Sequence, residues 1–254
     1  MLEVKIIKCL FDNYSYLIKD KKTNLVAVVD PSEFSSVDTK IAKTYKKLDF
    51  ILNTHHHEDH IGGNLELKKK YNSKIICSSS DGENIPNPDI KKSDGDQFSL
   101  GETIFKIMHV PGHTIGHIAF YSKQANVIFT GDTLFSLGCG RILEGTFEQM
   151  FESLEKIKNL PKNTLVYCGH EYTEKNGQFC ISIDKENENL NNRIKDVKSN
   201  IQKRLPTIPV ELGKEIETNI FLRCDDKKIK SYLKMKNSSK LEVFKKLRNL
   251  KDKF

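Results

Sequence analysis

The chain has 254 residues, 37% of them hydrophobic and 30% charged, with a formal net charge of +7. That length suits one large domain or a large plus a small one, and it supplies enough apolar residues for a core. No stretch approaches the ~18–20 apolar residues of a membrane span, and Met1 to Lys8 alternates like a strand without the apolar run of a signal peptide.

Taken along the chain, strand patterns cover residues 2–10, 14–19, 25–30 and 50–53, then 74–78, 103–109, 118–122, 126–130 and 164–168. Tyr14 to Ile18 and Leu25 to Asp30 flank a Lys-Asp-Lys-Lys-Thr-Asn turn, which predicts a hairpin. Helical patterns fill about 33–47, 62–71 and 147–158. From about residue 171 the character changes. Long charged amphipathic stretches at about 171–202, 226–235 and 238–251 read as helices, interrupted by Pro206-Thr207-Ile208-Pro209. The alternation predicts an α/β domain over residues 1–172, two sheets face to face with helices outside, followed by a smaller all-helical domain over residues 173–254. The charge follows the same division. Residues 1–170 hold 21 Lys/Arg and 21 Asp/Glu, so the whole +7 lies in the last 84 residues, which hold 20 and 13. Most of that excess suits a solvated helical surface; a few cations could line a site for an anion. That stretch lacks interleaved aromatics of the stacking kind, which argues against nucleic acid.

Thr54-His55-His56-His57-Glu58-Asp59-His60 is the densest chemistry in the chain. All eight histidines lie between His55 and His170. Neutral imidazole and carboxylate are donors for borderline divalent metals. The run follows the apolar strand Phe50-Ile51-Leu52, so a rigid element holds it. His55 and His57, two apart, share a side in extended backbone, while His56 and Glu58 point away. With Asp59 and His60 the loop offers two ligand pairs. A catalytic zinc takes about three protein ligands, so two adjacent metals use these four donors better than one. Further ligand types follow later strands, each beside a glycine: His113 in Pro111-Gly112-His113-Thr114, Asp132 in Gly131-Asp132-Thr133, and His170 in Gly169-His170-Glu171-Tyr172. Six cysteines, Cys9, Cys77, Cys139, Cys168, Cys180 and Cys224, form no Cys-x-x-Cys pair and suit free thiols in a reducing cytoplasm.

The T-H-x-H-x-D-H segment and the later G-H-T, G-D-T and G-H-E elements, in that order, resemble the metallo-β-lactamase superfamily. Gly131-Asp132-Thr133-Leu134-Phe135, Gly138-Cys139-Gly140-Arg141, Glu144-Gly145-Thr146, Gly169-His170-Glu171-Tyr172-Thr173 and Arg248-x-x-Lys251-Asp252 narrow the resemblance to the glyoxalase II, or hydroxyacylglutathione hydrolase, family. The match runs from about Val4 to Phe254. It implies an αββα sandwich with a C-terminal helical domain. It also implies a first metal on His55, His57 and His113, a second on Asp59, His60 and His170, and Asp132 bridging both. Zinc is the expected ion, with iron or manganese as alternatives. His117 and His109 are read as supporting histidines, His56 as hydrogen-bonded within the fold, and Glu58 and Glu171 as non-ligands.

The resemblance further implies hydrolysis of S-D-lactoylglutathione by a hydroxide shared between the metals, with Asp59 and Asp132 as catalytic residues. No Ser elbow of the G-x-S-x-G kind is present. Arg141, Tyr172, Arg248 and Lys251 would hold the glutathione; Leu143 stands where the family often has a Tyr, which removes a side-chain contact there. The expected protein is a cytoplasmic monomer with a small-molecule substrate and neither nucleic acid nor membrane as partner. Two rival readings of the same histidines are a mononuclear iron dioxygenase acting on glutathione persulfide and a metal-dependent phosphodiesterase or nuclease. A metal- or nucleic-acid-binding protein on a retired hydrolase fold is disfavoured by the full set of seven ligand types.

Overall fold

A computed structural model describes all residues from Met1 to Phe254. The chain divides into two compact units. The first comprises Met1–His109 and Ile115–Gly131; the second comprises Val110–Thr114 and Asp132–Phe254.

In the first unit, β1 (Leu2–Cys9), β2 (Asn13–Asp20), β3 (Val26–Val29), β4 (Phe50–Leu52), β5 (Lys74–Ser78) and β6 (Ile90–Lys92) form one sheet in that order. β1 to β3 pair antiparallel and β3 to β6 parallel. Parallel neighbours need a long crossover, and α1 (Phe34–Thr44), α2 (Glu58–Ile61) and α3 (Asn64–Tyr71) lie in those connections. A second set, β7 (Gln97–Leu100), β8 (Thr103–His109), β9 (Ile118–Ser122) and β10 (Val127–Gly131), pairs antiparallel in chain order.

The period of two decides what each strand buries. Val26, Val28 and Ile51 join Val37, Ile41 and Leu67 of the helices in one apolar cluster. Aromatics fill the opposite side. Tyr16 of β2 meets Phe129 of β10 at 5.3 Å between ring centroids, and Phe50 of β4 meets Phe98 of β7 edge-on at 5.2 Å. Both faces of the central strands are therefore covered, as expected for two sheets packed face to face. At one end, Asp20 accepts hydrogen bonds from the Lys22 and Thr23 amides and from the hydroxyls of Thr23 and Thr103. Burial would raise its pKa, but the donors from Thr23, Thr103 and Lys22 outweigh that and hold it at about 2.

The second unit opens with the hairpin β11 (Leu134–Phe135) and β12 (Gly138–Cys139), then α4 (Phe147–Lys158), β13 (Leu165–Cys168), α5 (Thr173–Ile183) and α6 (Glu188–Gln202). β14 (Val210–Glu211), α7 (Leu212–Thr218), a 3-10 turn (Ile220–Leu222), α8 (Lys227–Tyr232) and α9 (Lys240–Lys251) complete it. Capping boxes start α4 (Thr146 with Gln149) and α9 (Ser239 with Glu242). Phe244 of α9 packs on Phe151 and Phe221, and Phe221 on Phe179, so one aromatic chain ties α4, α5, α9 and the 3-10 turn together. The carboxylate of Glu215 is fully buried. It accepts from Arg193, from the Leu137 amide at 3.0 Å and from Asn219 at 3.1 Å, which anchors the β11–β12 hairpin to α6 and α7.

The predicted elements differ from these in a few places. The stretch expected as one helix over 171–202 is two, because Asn187 leaves the helix to cap α6 through the Leu190 amide. The expected helix at 62–71 begins at Asn64, with the separate turn α2 before it. The short strands β6, β7, β11, β12 and β14 and the helix α7 had no predicted counterpart.

Candidate metal centre

In the first unit the loop after β4 carries four of the predicted ligands. Its ends are pinned by Asn53 and Asn64, whose amides bond each other, and Asn53 also donates to the His60 carbonyl. Asp30, just past β3 and in the left-handed region at φ 48°, accepts from the Thr54 amide at 2.8 Å and its hydroxyl at 2.7 Å, and from His60 Nδ1 at 3.1 Å. The Thr54 hydroxyl spends its proton on Asp30, so its lone pair accepts from His55 Nδ1 at 3.0 Å. Both imidazoles are therefore protonated at Nδ1 and turn Nε2 toward the ligand cluster. An oriented imidazole backed by a carboxylate is a feature of metal-ligating histidines. His55 Nε2 lies 3.1 Å from His57 Nδ1. Asp59 Oδ2 lies 3.8 Å from His60 Nε2 and accepts from Asn13 Nδ2 at 2.9 Å.

Of the other histidines of this unit, His117 packs directly on that cluster. His117 stacks on His55 at 4.6 Å with an 18° interplanar angle. The His56 ring meets the His57 ring edge-on at 5.2 Å, with Nδ1 3.2 Å from Asp81 Oδ1. His109 Nε2 donates to the Ile115 carbonyl at 2.8 Å. Gly131 is required where it stands: its φ is +47°, and a Cβ there would collide with the Thr54 hydroxyl.

In the second unit His113, Asp132 and His170 come together although 57 residues separate the first from the last. His113 Nδ1 donates to the Arg141 carbonyl at 2.8 Å, so its Nε2 carries the lone pair. That Nε2 is 3.5 Å from Asp132 Oδ2, and His170 Nε2 is 3.3 Å from the same oxygen. A Cβ on Gly140 would overlap the Asp132 carbonyl, so only glycine lets the hairpin pass this close. The His170 ring stacks on Tyr172 at 4.7 Å, nearly parallel, and Phe135 meets both rings edge-on.

These spacings test the fit to a metal. Ligand atoms at about 2.0–2.1 Å from a tetrahedral zinc stand about 3.4 Å apart. The distances of 3.1, 3.3 and 3.5 Å match that edge within a few tenths of an ångström. The donor set in each unit, imidazole nitrogen with carboxylate oxygen, suits zinc, iron or manganese alike. No thiol takes part: none of the side-chain groups spaced to hold an ion includes a cysteine.

The predicted substrate residues all belong to the second unit. Arg248 is only 3% exposed. Its Nη1 donates to the Cys139 carbonyl at 2.8 Å, its Nη2 to Asp252 at 2.9 Å, and its guanidinium faces the Phe221 ring. Lys251 donates to the Lys175 carbonyl and lies against Phe179 and Phe254; burial lowers its pKa, helped by the charge of Arg248. Arg141 is exposed, its Nε 4.0 Å from Asp252, and Leu143 is exposed as well. Asp252, shared by Arg141 and Arg248, was not among the predicted site residues, nor were Asp30 and Asn13. An Asp closing the buried run Val26–Val29 was the one available signal for Asp30.

Residues 10–170 match the family described as the metallo-beta-lactamase superfamily, and residues 171–254 the one described as hydroxyacylglutathione hydrolase C-terminus. The chain is 50% identical over 253 residues to a hydroxyacylglutathione hydrolase of Pelagibacter ubique (strain HTCC1062), covering 100% of both. It is 40% identical over 254 residues to one from Methylococcus capsulatus, covering 100% of this chain and 99% of the relative. Among solved structures, ETHE1 from Myxococcus xanthus superposes with a TM-score of 0.69 at 22% identity, covering 98% of this chain and 91% of that one. The chain thus has the metallo-β-lactamase fold with a helical C-terminal portion and belongs to that superfamily. Within it, the two matched segments and the full-length relatives make it a member of the hydroxyacylglutathione hydrolase, or glyoxalase II, family. No helix is long and apolar enough to cross a membrane.

Proposed function

We propose that this chain hydrolyses S-2-hydroxyacylglutathione, with S-D-lactoylglutathione as the substrate and D-lactate and glutathione as the products. Water adds to the thioester carbonyl, the C–S bond breaks, and the thiol leaves with the proton. The observation that carries the reading is the pair of ligand clusters, each with donor atoms at coordination spacing, in a chain whose full-length relatives carry that name.

His55, His57 and His113 would hold one divalent ion, Asp59, His60 and His170 a second, and Asp132 both. Zinc is the ion we favour. When bound, such a pair supplies a hydroxide at neutral pH and polarises a carbonyl. The chain's own residues do the rest. Asp30 and Thr54 fix the His60 and His55 rings through Nδ1. Asn13 holds the Asp59 carboxylate, which can then orient the attacking water as well as bind an ion. Arg141, Tyr172, Arg248 and Lys251 form the glutathione side of the site. Two carboxylates and one ammonium leave glutathione net negative, and the +7 excess of residues 171–254 supports anion binding there. Since the Arg248 guanidinium already binds Cys139 and Asp252, its share is to set the shape of that side, with Lys251 and Arg141 nearer the ligand's charge.

We assign catalysis to residues 1–172, which also lend Arg141 and Tyr172 to the glutathione side, and the remaining substrate holding to residues 173–254. Six free, buried thiols support a reducing cytoplasm as the working compartment, and the protein is read as a monomer with neither nucleic acid nor membrane as partner. The test is thiol release from S-D-lactoylglutathione by purified protein, beside hydrolysis of bis-p-nitrophenyl phosphate, with elemental analysis of the same sample. The expected result is rapid thiol release, little phosphodiesterase activity and two metal equivalents per chain. Phosphodiester cleavage without thiol release would replace this reading with the nuclease one.

A further inference from the structure

The turn between β1 and β2 carries an exposed apolar pair. Phe11 is 95% exposed and Leu10 55%. Polar residues are usual at a hairpin tip, and a bulky side chain fully in water forgoes its burial energy. The tip is nevertheless held in shape. Cys9 and Asn13 pair across it. Leu10 sits in the left-handed region at φ 48°, which is unfavourable for a branched aliphatic residue, and its amide donates to Glu33 Oε1 at 3.2 Å. Glu33 is itself fixed by the hydroxyls of Ser35 and Ser36. On the other side, Asn13 Nδ2 donates to both the carbonyl and the carboxylate of Asp59. Two residues of chain reach at most about 7 Å, so Phe11 is tied close to a residue we assign to the reaction centre. A strained turn that keeps an aromatic ring in solvent two residues from the Asn13 that holds the Asp59 carboxylate calls for a ligand contact.

We infer that Phe11, with Leu10, is a specificity-determining residue that packs on the acyl group of the thioester. The acyl side chain is the variable and less polar end of the substrate. The tip offers it the apolar surface of Leu10 and Phe11 and no cation, its one charge being the carboxylate of Asp12, whereas the cations suited to glutathione all lie in residues 141–251. The inference rests on the function proposed above, and its test separates the two. Phe11→Ala and Phe11→Leu are compared with the unaltered protein on S-lactoylglutathione and on S-mandeloylglutathione, whose acyl group carries a phenyl ring.

For Phe11→Ala, kcat/KM on the mandeloyl ester should fall about fivefold more than on the lactoyl ester, with Phe11→Leu recovering part of the difference. Metal content and Tm should stay at the unaltered values, because nothing packs on an exposed ring. Equal losses on both esters, or none, overturn the inference while leaving the hydrolase reading standing. A change in sedimentation with unchanged ester preference also overturns it and makes the tip a self-association surface. An unaltered protein that cleaves neither ester overturns the function itself.

Discussion

The two ligand clusters are supported by different means. In the first unit, side chains orient the ligands: Asp30 through His60 and Thr54, Thr54 through His55, Asn13 through Asp59. In the second, the backbone and packing do it: the Arg141 carbonyl holds His113, and the Phe135 and Tyr172 rings frame His170. A side-chain support can be removed by one substitution; a carbonyl cannot. Point substitutions behind the ligands should therefore reach His55, Asp59 and His60 in the first cluster and His170 through its framing rings in the second, whereas His113 is reached only through the elements that place the Arg141 backbone.

The largest expected effect tests whether the clusters act as one centre. Asp132→Ala should lower thiol release by at least about 10³-fold and bring metal content below two equivalents, measured by elemental analysis on folded protein. Retention of two ions with full activity would separate the clusters and remove Asp132 from the site. Next in size is Asp30→Asn. The amide keeps the shape but loses the charge behind His60 and the acceptor strength behind Thr54. Metal affinity should weaken about 10- to 100-fold in a chelator competition, with secondary structure unchanged by circular dichroism. At His113 the Nδ1 partner is a backbone carbonyl, which no side-chain substitution removes, and that asymmetry is the sharpest form of the comparison.

The same contrast governs what the sequence made legible. His55, His57, Asp59 and His60 sit within six residues, so their spacing alone located the first cluster; His56, expected from strand alternation to point away, instead has its ring edge-on against His57. His113, Asp132 and His170 were legible as ligand types at strand ends, yet their convergence depends on the fold. Asp30 and Asn13 were missed because each is distant in sequence from the ligand it bonds: 30 residues for Asp30 and His60, 46 for Asn13 and Asp59. The nine predicted strands all exist, since each is a run of apolar or alternating residues. The hairpin β11–β12 escaped because two-residue strands have no period to detect, and its conformation is imposed by Glu215, some 80 residues later.

That network is where the second cluster can be reached. Glu215→Ala leaves the Arg193 guanidinium buried without its carboxylate and the Leu137 amide without its acceptor. Loss of one partner of a buried ion pair costs about 3 kcal/mol, or roughly 6–12 °C in Tm for a chain of this size. The hairpin that follows Asp132 should loosen, so kcat should fall with it, while ligand spacing in the first cluster is untouched. A lowered Tm with unchanged kcat would show that the hairpin does not set the Asp132 geometry.

Asp20 supplies the control within the first unit, because it stabilises the strands without bonding any ligand or its supports. Its carboxyl has a pKa of about 2 in the folded chain, against about 3.9 when unfolded. A depressed acid stabilises the fold above its unfolded pKa, and that contribution disappears as pH falls from about 4 toward 2. Asp20→Asn should therefore lower stability at pH 7 by on the order of 2 kcal/mol, and the gap to the unaltered protein should close across the acid window in urea titrations. Metal content and kcat at neutral pH should be unchanged. If the gap persisted at pH 2, the loss would come from packing around Thr103 and the β2–β3 turn and not from the charge. If kcat fell at pH 7 in the folded variant, the sheet end and the ligand loop would be coupled, and the first cluster's dependence on local side chains alone would no longer hold.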